Sequence, residues 1–141
     1  MECIFCRALE DPTSDALFYE DDRFAFMMDA FPITLGHMMI FPKAHVPDPF
    51  DLPEAEFQLL LLHAKAFGQA LKAQYGTEKI GLFTAGKERP DHAHIHLLPL
   101  RQGLRAHFAE LSRVERKRVE RDELLAEGRA ILLARPSEQT S

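Results

Sequence analysis

The chain has 141 residues, enough for one domain with its own core but not for two of ordinary size. Hydrophobic residues make up 46% and charged residues 28%, a globular balance that argues against intrinsic disorder. The formal net charge of -5 disfavours a nonspecific nucleic-acid binder, so any phosphate site must be local.

The opening Met1-Glu2-Cys3-Ile4-Phe5-Cys6 lacks the basic start and long apolar run of a signal peptide, and apolar clusters such as 59–62 are too short to span a bilayer. A cytoplasmic protein without a membrane partner is expected. There Cys3 and Cys6 stay reduced, and their CxxC spacing reads as metal or redox chemistry before disulfide. Two strand-like runs follow, 16–20 and 23–28, joined by a turn at Asp21-Asp22. Pro32 punctuates the chain, and 36–41 reads as a third strand closed by Pro42.

A helix is expected to start behind Asp51-Leu52-Pro53-Glu54, with Asp51 as cap and Pro53 in the first turn. Phe57, Leu60, Leu61, Ala64, Phe67 and Leu71 form its apolar stripe, and Gly76 ends it. Segments 79–84 and 92–98 read as the last two strands, separated by a polar turn over 86–91. A charged helix is expected over 111–134, stopped by Pro136. Its run from Arg113 to Arg121, with two glutamates interspersed, reads as a solvated helix face, with a phosphate-contacting patch as the second reading. Five short strands, one long central helix and a C-terminal helix make an α+β domain with an antiparallel sheet. That domain is expected over 1–135, followed by a flexible tail at 136–141.

The informative segment is Asp91-His92-Ala93-His94-Ile95-His96-Leu97-Leu98-Pro99. On a strand, alternate residues share a face, so three imidazoles lie side by side opposite Ala93, Ile95 and Leu97. They cannot all be charged at once without repulsion. Such a row fits a metal site if further ligands converge, or a neutral imidazole nucleophile whose neighbours bind an electrophilic phosphate. His63 reads as a surface or dimer-interface residue, and His107 carries no ligand pattern around it.

The run His92-Ala93-His94-Ile95-His96-Leu97-Leu98 resembles the histidine triad pattern, His-φ-His-φ-His-φ-φ with φ apolar. Cys3-Ile4-Phe5-Cys6, Tyr19-Glu20-Asp21-Asp22, Met28-Asp29-Ala30-Phe31-Pro32, the stretch from Gly36 to His45, and Asp51-Leu52 resemble the same family in its order. The resemblance implies a hydrolase that cleaves a nucleoside monophosphate from a leaving group, with dinucleoside polyphosphates and nucleoside phosphoramidates as substrate classes. A nucleotidyltransferase, a nucleotide-binding module without turnover, and a zinc protein with purely structural histidines are the competing readings. By resemblance His94 is the nucleophile, His96 contacts the phosphate and helps protonate the leaving group, and His37 supports the triad from behind. The nucleoside pocket would be Asp29 for the ribose, with Ile4, Phe5, Met27, Met28 and Ala30 around it and Leu98 nearby. As residues alone, Asp29 equally reads as a turn residue, and Ile4 and Phe5 as plain core. Some family members with CxxC here carry a structural zinc, for which Cys3, Cys6, His45 and His92 supply a set; two reduced core cysteines are the other reading. No metal is needed for the chemical step. The chain departs from the family just before the triad, where Ala85-Gly86-Lys87-Glu88-Arg89-Pro90-Asp91 replaces a glycine-glutamine-serine segment. Lys87 or Arg89 would then bind phosphate as a charged substitute. A purine nucleotide is the expected substrate and a second copy of the chain the expected partner, with the two sheets joined into one of ten strands.

Overall fold

The computed structural model describes residues 3–84, 91–103, 105–106 and 116–136. Five strands form one antiparallel sheet: β1 (Leu17–Glu20), β2 (Phe24–Met28), β3 (Met38–Pro42), β4 (Lys79–Phe83) and β5 (Ile95–Leu100). Their spatial order is β1-β2-β3-β5-β4, so β5 runs between β3 and the edge strand β4. Three α-helices whose full length lies among the described residues accompany them: α1 (Ile4–Glu10), α2 (Glu54–Tyr75) and α3 (Arg121–Ala134). The α+β class and the antiparallel sheet agree with expectation.

Both faces of the sheet are covered, which is why β2 and β3 are buried at every position rather than at alternate ones. Phe24, Phe26, Met28, Met38, Ile40, Ile95 and Leu97 point to one face, where Leu60, Ala64, Phe67 and Leu71 of α2 and Leu124, Leu125 and Ile131 of α3 complete the main core. Phe26 stacks on Phe67 with ring centroids 4.5 Å apart. Burying rings of this size stabilises the fold by about 1.5–3 kcal/mol each. Ala25, Met27, Met39 and Phe41 point the other way, where Phe5 and Ala8 of α1 form a smaller cluster.

Several boundaries differ from those read in the sequence, for local reasons. Helix α1 escaped the pattern because seven residues are too few to show a stripe; Cys3 caps it by accepting from Cys6 N–H. Asp51 does not cap α2. It closes a single turn of 3-10 helix (Pro49–Asp51), which Asp48 caps by accepting from Phe50 N–H at 2.9 Å. Leu61 falls outside the buried stripe of α2 and is exposed. The final helix begins at Arg121, since residues 116–120 are not helical and the peptide of Glu120 is extended. Residues 111–115 of the expected helix, His107, most of the 86–91 turn and the tail from 137 lie outside the described residues. The last strand begins at Ile95, so His92 and His94 sit on the extended approach to β5, not within the sheet. His63 is partly buried rather than openly exposed: its ring lies 3.0 Å from the Asp21 carboxylate and edge-on to Phe24 and Phe26. Gly76 ends α2 with φ of 65°, as expected. No helix among the described residues is long and apolar enough to cross a membrane.

Gly36 fixes the turn that delivers β3. Its φ is 92°, and a Cβ there would lie 2.6 Å from the Tyr75 ring and 3.0 Å from Pro99. Gly36→Ala is therefore expected to lower the free energy of unfolding by roughly 2 kcal/mol or more, through left-handed backbone strain plus the clash. An unchanged urea midpoint would remove Gly36 from the list of positions that constrain the fold.

Candidate active site

The family of side chains singled out by sequence converges on one cavity of about 710 Å3, on the sheet face opposite α2. Ile4, Phe5, Met27, Met28, Asp29, Ala30, His37, His92, His94 and His96 all line it. Leu98 does not; it is fully buried in the sheet. Lys87 and Arg89 lie outside the described residues.

His94 is oriented by the backbone. Its Nδ1 donates to the carbonyl of His92 at 2.8 Å, and Thr84 Oγ1 donates to the carbonyl of His94 at 2.7 Å. With Nδ1 committed, Nε2 is the ring nitrogen left to meet a ligand. The ring stacks on Phe5 at 4.7 Å and stands edge-on to His96 at 4.9 Å. Phe5 thus serves both readings made of it, core residue and site wall.

His96 sits on β5 opposite Met39 and Phe83, and its ring stacks on that of Phe83 at 4.7 Å. Behind it a chain of hydrogen bonds fixes the tautomers. Ile33 N–H donates to His37 Nδ1 at 3.1 Å, so the His37 proton must be on Nε2. His37 Nε2 in turn donates to His96 Nδ1 at 2.8 Å, which places the His96 proton on its own Nε2. Burial, above all, pushes both rings down to about 3, so neither is charged at neutral pH. Asp29 completes the group, with Oδ2 3.5 Å from His37 Nε2. Its Oδ1 accepts from Phe31 N–H at 2.8 Å, so the turn role and the cavity position coexist. Burial raises its carboxyl above the ordinary value. Asp29, His37 and His96 are close enough to hold a cation. The Ile33 N–H on Nδ1 argues against it, because a metal on Nε2 would strip the only proton His37 has.

A second cluster differs in that respect. Cys3 Sγ lies 3.4 Å from His92 Nδ1, Cys6 Sγ 3.3 Å from His45 Nδ1 and 3.6 Å from His92 Nδ1, and the two Nδ1 atoms are 3.1 Å apart. Tetrahedral ligation at 2.0–2.3 Å has ligand-to-ligand edges of roughly 3.3–3.8 Å, close to this spacing. His92 Nε2 donates to the carbonyl of Pro42 at 2.8 Å, which turns the Nδ1 lone pair into the cluster. Burial and the neighbouring Cys3 push the Cys6 thiol up to about 11, so two thiolates here call for a cation between them. The four residues form a set that can hold a metal ion.

The chain and its fold have counterparts among known proteins. A family model for the HIT domain matches residues 11–103. The chain belongs to the histidine triad family. A relative in Arabidopsis thaliana, the bifunctional adenosine 5'-phosphosulfate phosphorylase/adenylylsulfatase HINT4, is 31% identical over 104 residues, covering 70% of each chain. Among solved structures, a hypothetical histidine triad nucleotide-binding protein from Sulfolobus tokodaii superposes with a TM-score of 0.74 at 21% identity, over 94% of this chain and 91% of that one. A zinc-bound histidine triad family protein from Mycobacterium smegmatis gives 0.72 at 24% identity, over 95% and 93%. The family match takes in Asp29, His37, His45 and the three triad histidines, and leaves Cys3 and Cys6 outside it.

Sequence reading missed Phe83, which ends β4, and Thr84 just after it, neither of which carries a motif; of the run Arg113 to Arg121 it favoured a solvated helix face, whereas Arg116, Arg118 and Arg121 line the cavity, in keeping with its second reading. Pairing of β4 with β5 brings in the first two, and the contacts of 116–121 with Ala30 and Phe31 decide between the two readings of the charged run.

The neutral relay has a measurable consequence. An unfolded histidine titrates near 6.5, so below that pH the unfolded chain takes up protons that folded His37 and His96 refuse. Their contribution to stability is complete above about 6.5 and is lost as pH falls toward 3, approaching roughly 1.4 kcal/mol per pH unit for each ring. Urea unfolding at pH 7, 5.5 and 4.5 should show this slope, and His37→Asn should flatten it. A slope of the same size in the variant would contradict the assignment.

Proposed function

We propose that the protein is a nucleotide hydrolase that cleaves a nucleoside monophosphate from its leaving group through a nucleotidyl-histidine intermediate on His94. The observation that carries this reading is the hydrogen bond from His94 Nδ1 to the His92 carbonyl, which leaves Nε2 as the nitrogen to attack phosphorus. The name of the Arabidopsis relative, which is that of an enzyme acting on adenosine 5'-phosphosulfate, supports the substrate class of an activated purine nucleotide. In the first step the Nε2–P bond forms as the bond from phosphorus to the leaving group breaks, and the electron pair departs with the leaving group. Water then cleaves the P–N bond, giving the nucleoside monophosphate, a proton and free Nε2. His96 donates its Nε2–H to a phosphate oxygen, and His37 acts through it as a positioning residue. Asp29 takes the ribose hydroxyls, with Ile4, Phe5, Met27, Met28 and Ala30 about the nucleoside. Lys87 and Arg89 keep their expected role as phosphate contacts in this proposal. Inorganic phosphate as acceptor in place of water would make the same site a transferase, which the phosphorylase in the relative's name favours as a second activity.

Hydrolysis of adenosine 5'-phosphosulfate or a fluorogenic adenosine phosphoramidate tests this. His94→Ala should cost at least about 10^4-fold in kcat, the scale seen when a covalent nucleophile is removed. Rapid quench of the wild-type protein should yield an adduct of nucleoside monophosphate mass on His94. Full activity in the variant would overturn the assignment.

For Cys3, Cys6, His45 and His92 we propose a structural zinc, which would pin α1 against the sheet and supply nothing to the chemical step. Elemental analysis should find zinc in stoichiometric amount, and Cys3→Ser with Cys6→Ser should remove it and lower the Tm. A chain with no zinc and an unchanged Tm in the double variant would refute this. A homodimer is also proposed. The edge strand β4 carries exposed Leu82, and α2 exposes Leu61 and Leu62, surfaces that a second copy would cover.

A further inference from the structure

The cavity reaches well beyond the histidines, and the sheet register shows how far. Leu17 of β1 pairs with Met27 of β2, Met27 with Met39 of β3, and Met39 with His96 of β5. Three strand spacings, about 14 Å, therefore separate the start of β1 from His96. Helix α1 runs the same way over this face. Its N-terminal end meets the histidines, with Cys3 Sγ 3.4 Å from His92 Nδ1 and Phe5 stacked on His94. One turn on, Arg7 pairs at 3.3 Å with Asp15, which stands just before β1. Arg7, Ser14 and Asp15 all line the cavity, as do Met27 and Met39 between them and the triad. With phosphorus at His94 Nε2 and ribose at Asp29, this far end is the place left for the base.

The polar groups at that end set an acceptor beside a donor. Asp15 Oδ2 is met by Arg7 Nη2 at 3.3 Å and by Ser14 Oγ at 2.8 Å, whereas no donor meets Oδ1 among the described residues. Arg7 commits Nη2 to this pair and keeps Nη1. The contacts to Arg7 and Ser14 hold the carboxylate in place, so its open oxygen has a fixed position in an otherwise apolar wall. Adenine is the base that matches such a pair. Its amino group is a donor flanked on one side by N7 and on the other by N1, so either edge offers a donor next to an acceptor. A 6-oxopurine carries a carbonyl oxygen at the same carbon, and along its N7 edge it presents only acceptors, which a carboxylate repels.

We propose that Asp15, with Arg7 beside it, reads the edge of the base, so that this chain selects adenine nucleotides over those of 6-oxopurines. Asp15 Oδ1 accepts from the adenine amino group, and Arg7 donates to the ring nitrogen next to it. This deepens, and rests on, the reading of the cavity as a nucleotide site. Selection of this kind leaves the chemistry on His94 untouched, because the two ends of the cavity are three strands apart.

Calorimetry on the His94→Ala protein measures base preference without turnover, with AMP, IMP and purine riboside 5'-monophosphate as probes. AMP should bind at least about tenfold more tightly than IMP, the scale of one hydrogen bond to a charged group. The riboside, which has neither amino nor carbonyl group at that carbon, should fall between them. Asp15→Asn replaces one acceptor oxygen by an amide donor and should erase or reverse the preference for AMP over IMP. Asp51→Asn removes the same charge from an exposed position ahead of α2 and should leave the preference as it was. Equal affinity for AMP and IMP, or a preference that survives Asp15→Asn, would overturn the assignment. If Asp15→Asn fails to fold, the three ligands on the parent protein decide the matter, and a riboside bound as tightly as AMP would overturn it. Failure of all three to bind would overturn this proposal together with the nucleotide reading. An AMP preference that depends on Asp15, in a chain showing neither turnover nor adduct, would instead sink nucleotidyl transfer and leave base selection standing.

Discussion

His92 is held at three points, and the remainder of the site depends on all three. Its Nε2 donates to the Pro42 carbonyl at the end of β3, its Nδ1 faces Cys3, Cys6 and His45, and its own carbonyl receives the Nδ1 proton of His94. The first contact ties the approach to β5 onto its neighbouring strand. The second ties that approach to α1, which lies at the far end of the sequence. The third uses the position so fixed to decide which nitrogen of His94 is open. One residue therefore links the packing of the N-terminal segment to the chemistry of the cavity, through covalent geometry rather than through any long-range effect.

A comparable economy governs the other side of the site. Gly36 permits a turn that a side chain would obstruct, and this turn delivers His37 to its buried place behind His96. Burial there keeps both rings uncharged, and the Ile33 N–H removes the ambiguity of which nitrogen bears the proton. A neutral relay of fixed direction costs stability in acid, but it presents a donor of constant orientation where a phosphate oxygen would bind. Positive charge has to come from elsewhere. Among the described residues the segment 116–120, whose Arg116 and Arg118 line the cavity, is placed to supply it; Val119 N–H on the Ala30 carbonyl and the Arg116 guanidinium on the Phe31 carbonyl hold it there, in a sequence rich in helix-favouring residues.

How much of this was legible in advance varies with the range of the interaction concerned. The strands, the long helix and its glycine end announce themselves through local pattern, and local pattern survives folding where burial agrees with it. The short α1 and the 3-10 turn over Pro49–Asp51 do not, because each is defined by one capping hydrogen bond that many sequences could make. The end of the charged C-terminal run was misread for a different reason. Its residues have the propensity for helix, yet Val119 N–H and the Arg116 side chain find carbonyl acceptors at Ala30 and Phe31, far away in sequence.

The sequence by itself determined the family, the antiparallel α+β architecture and the identities of the histidines, cysteines and Asp29, because spacing along an extended chain already sets which side chains can share a face. Only the tertiary structure decided what each does relative to the others. It turned His92 Nδ1 toward the cysteines while His94 and His96 face one another in the cavity, set the tautomers of the relay, and brought Arg116 and Arg118 to the cavity lining. Those outcomes depend on hydrogen bonds between residues remote in sequence, whose geometry no local pattern encodes.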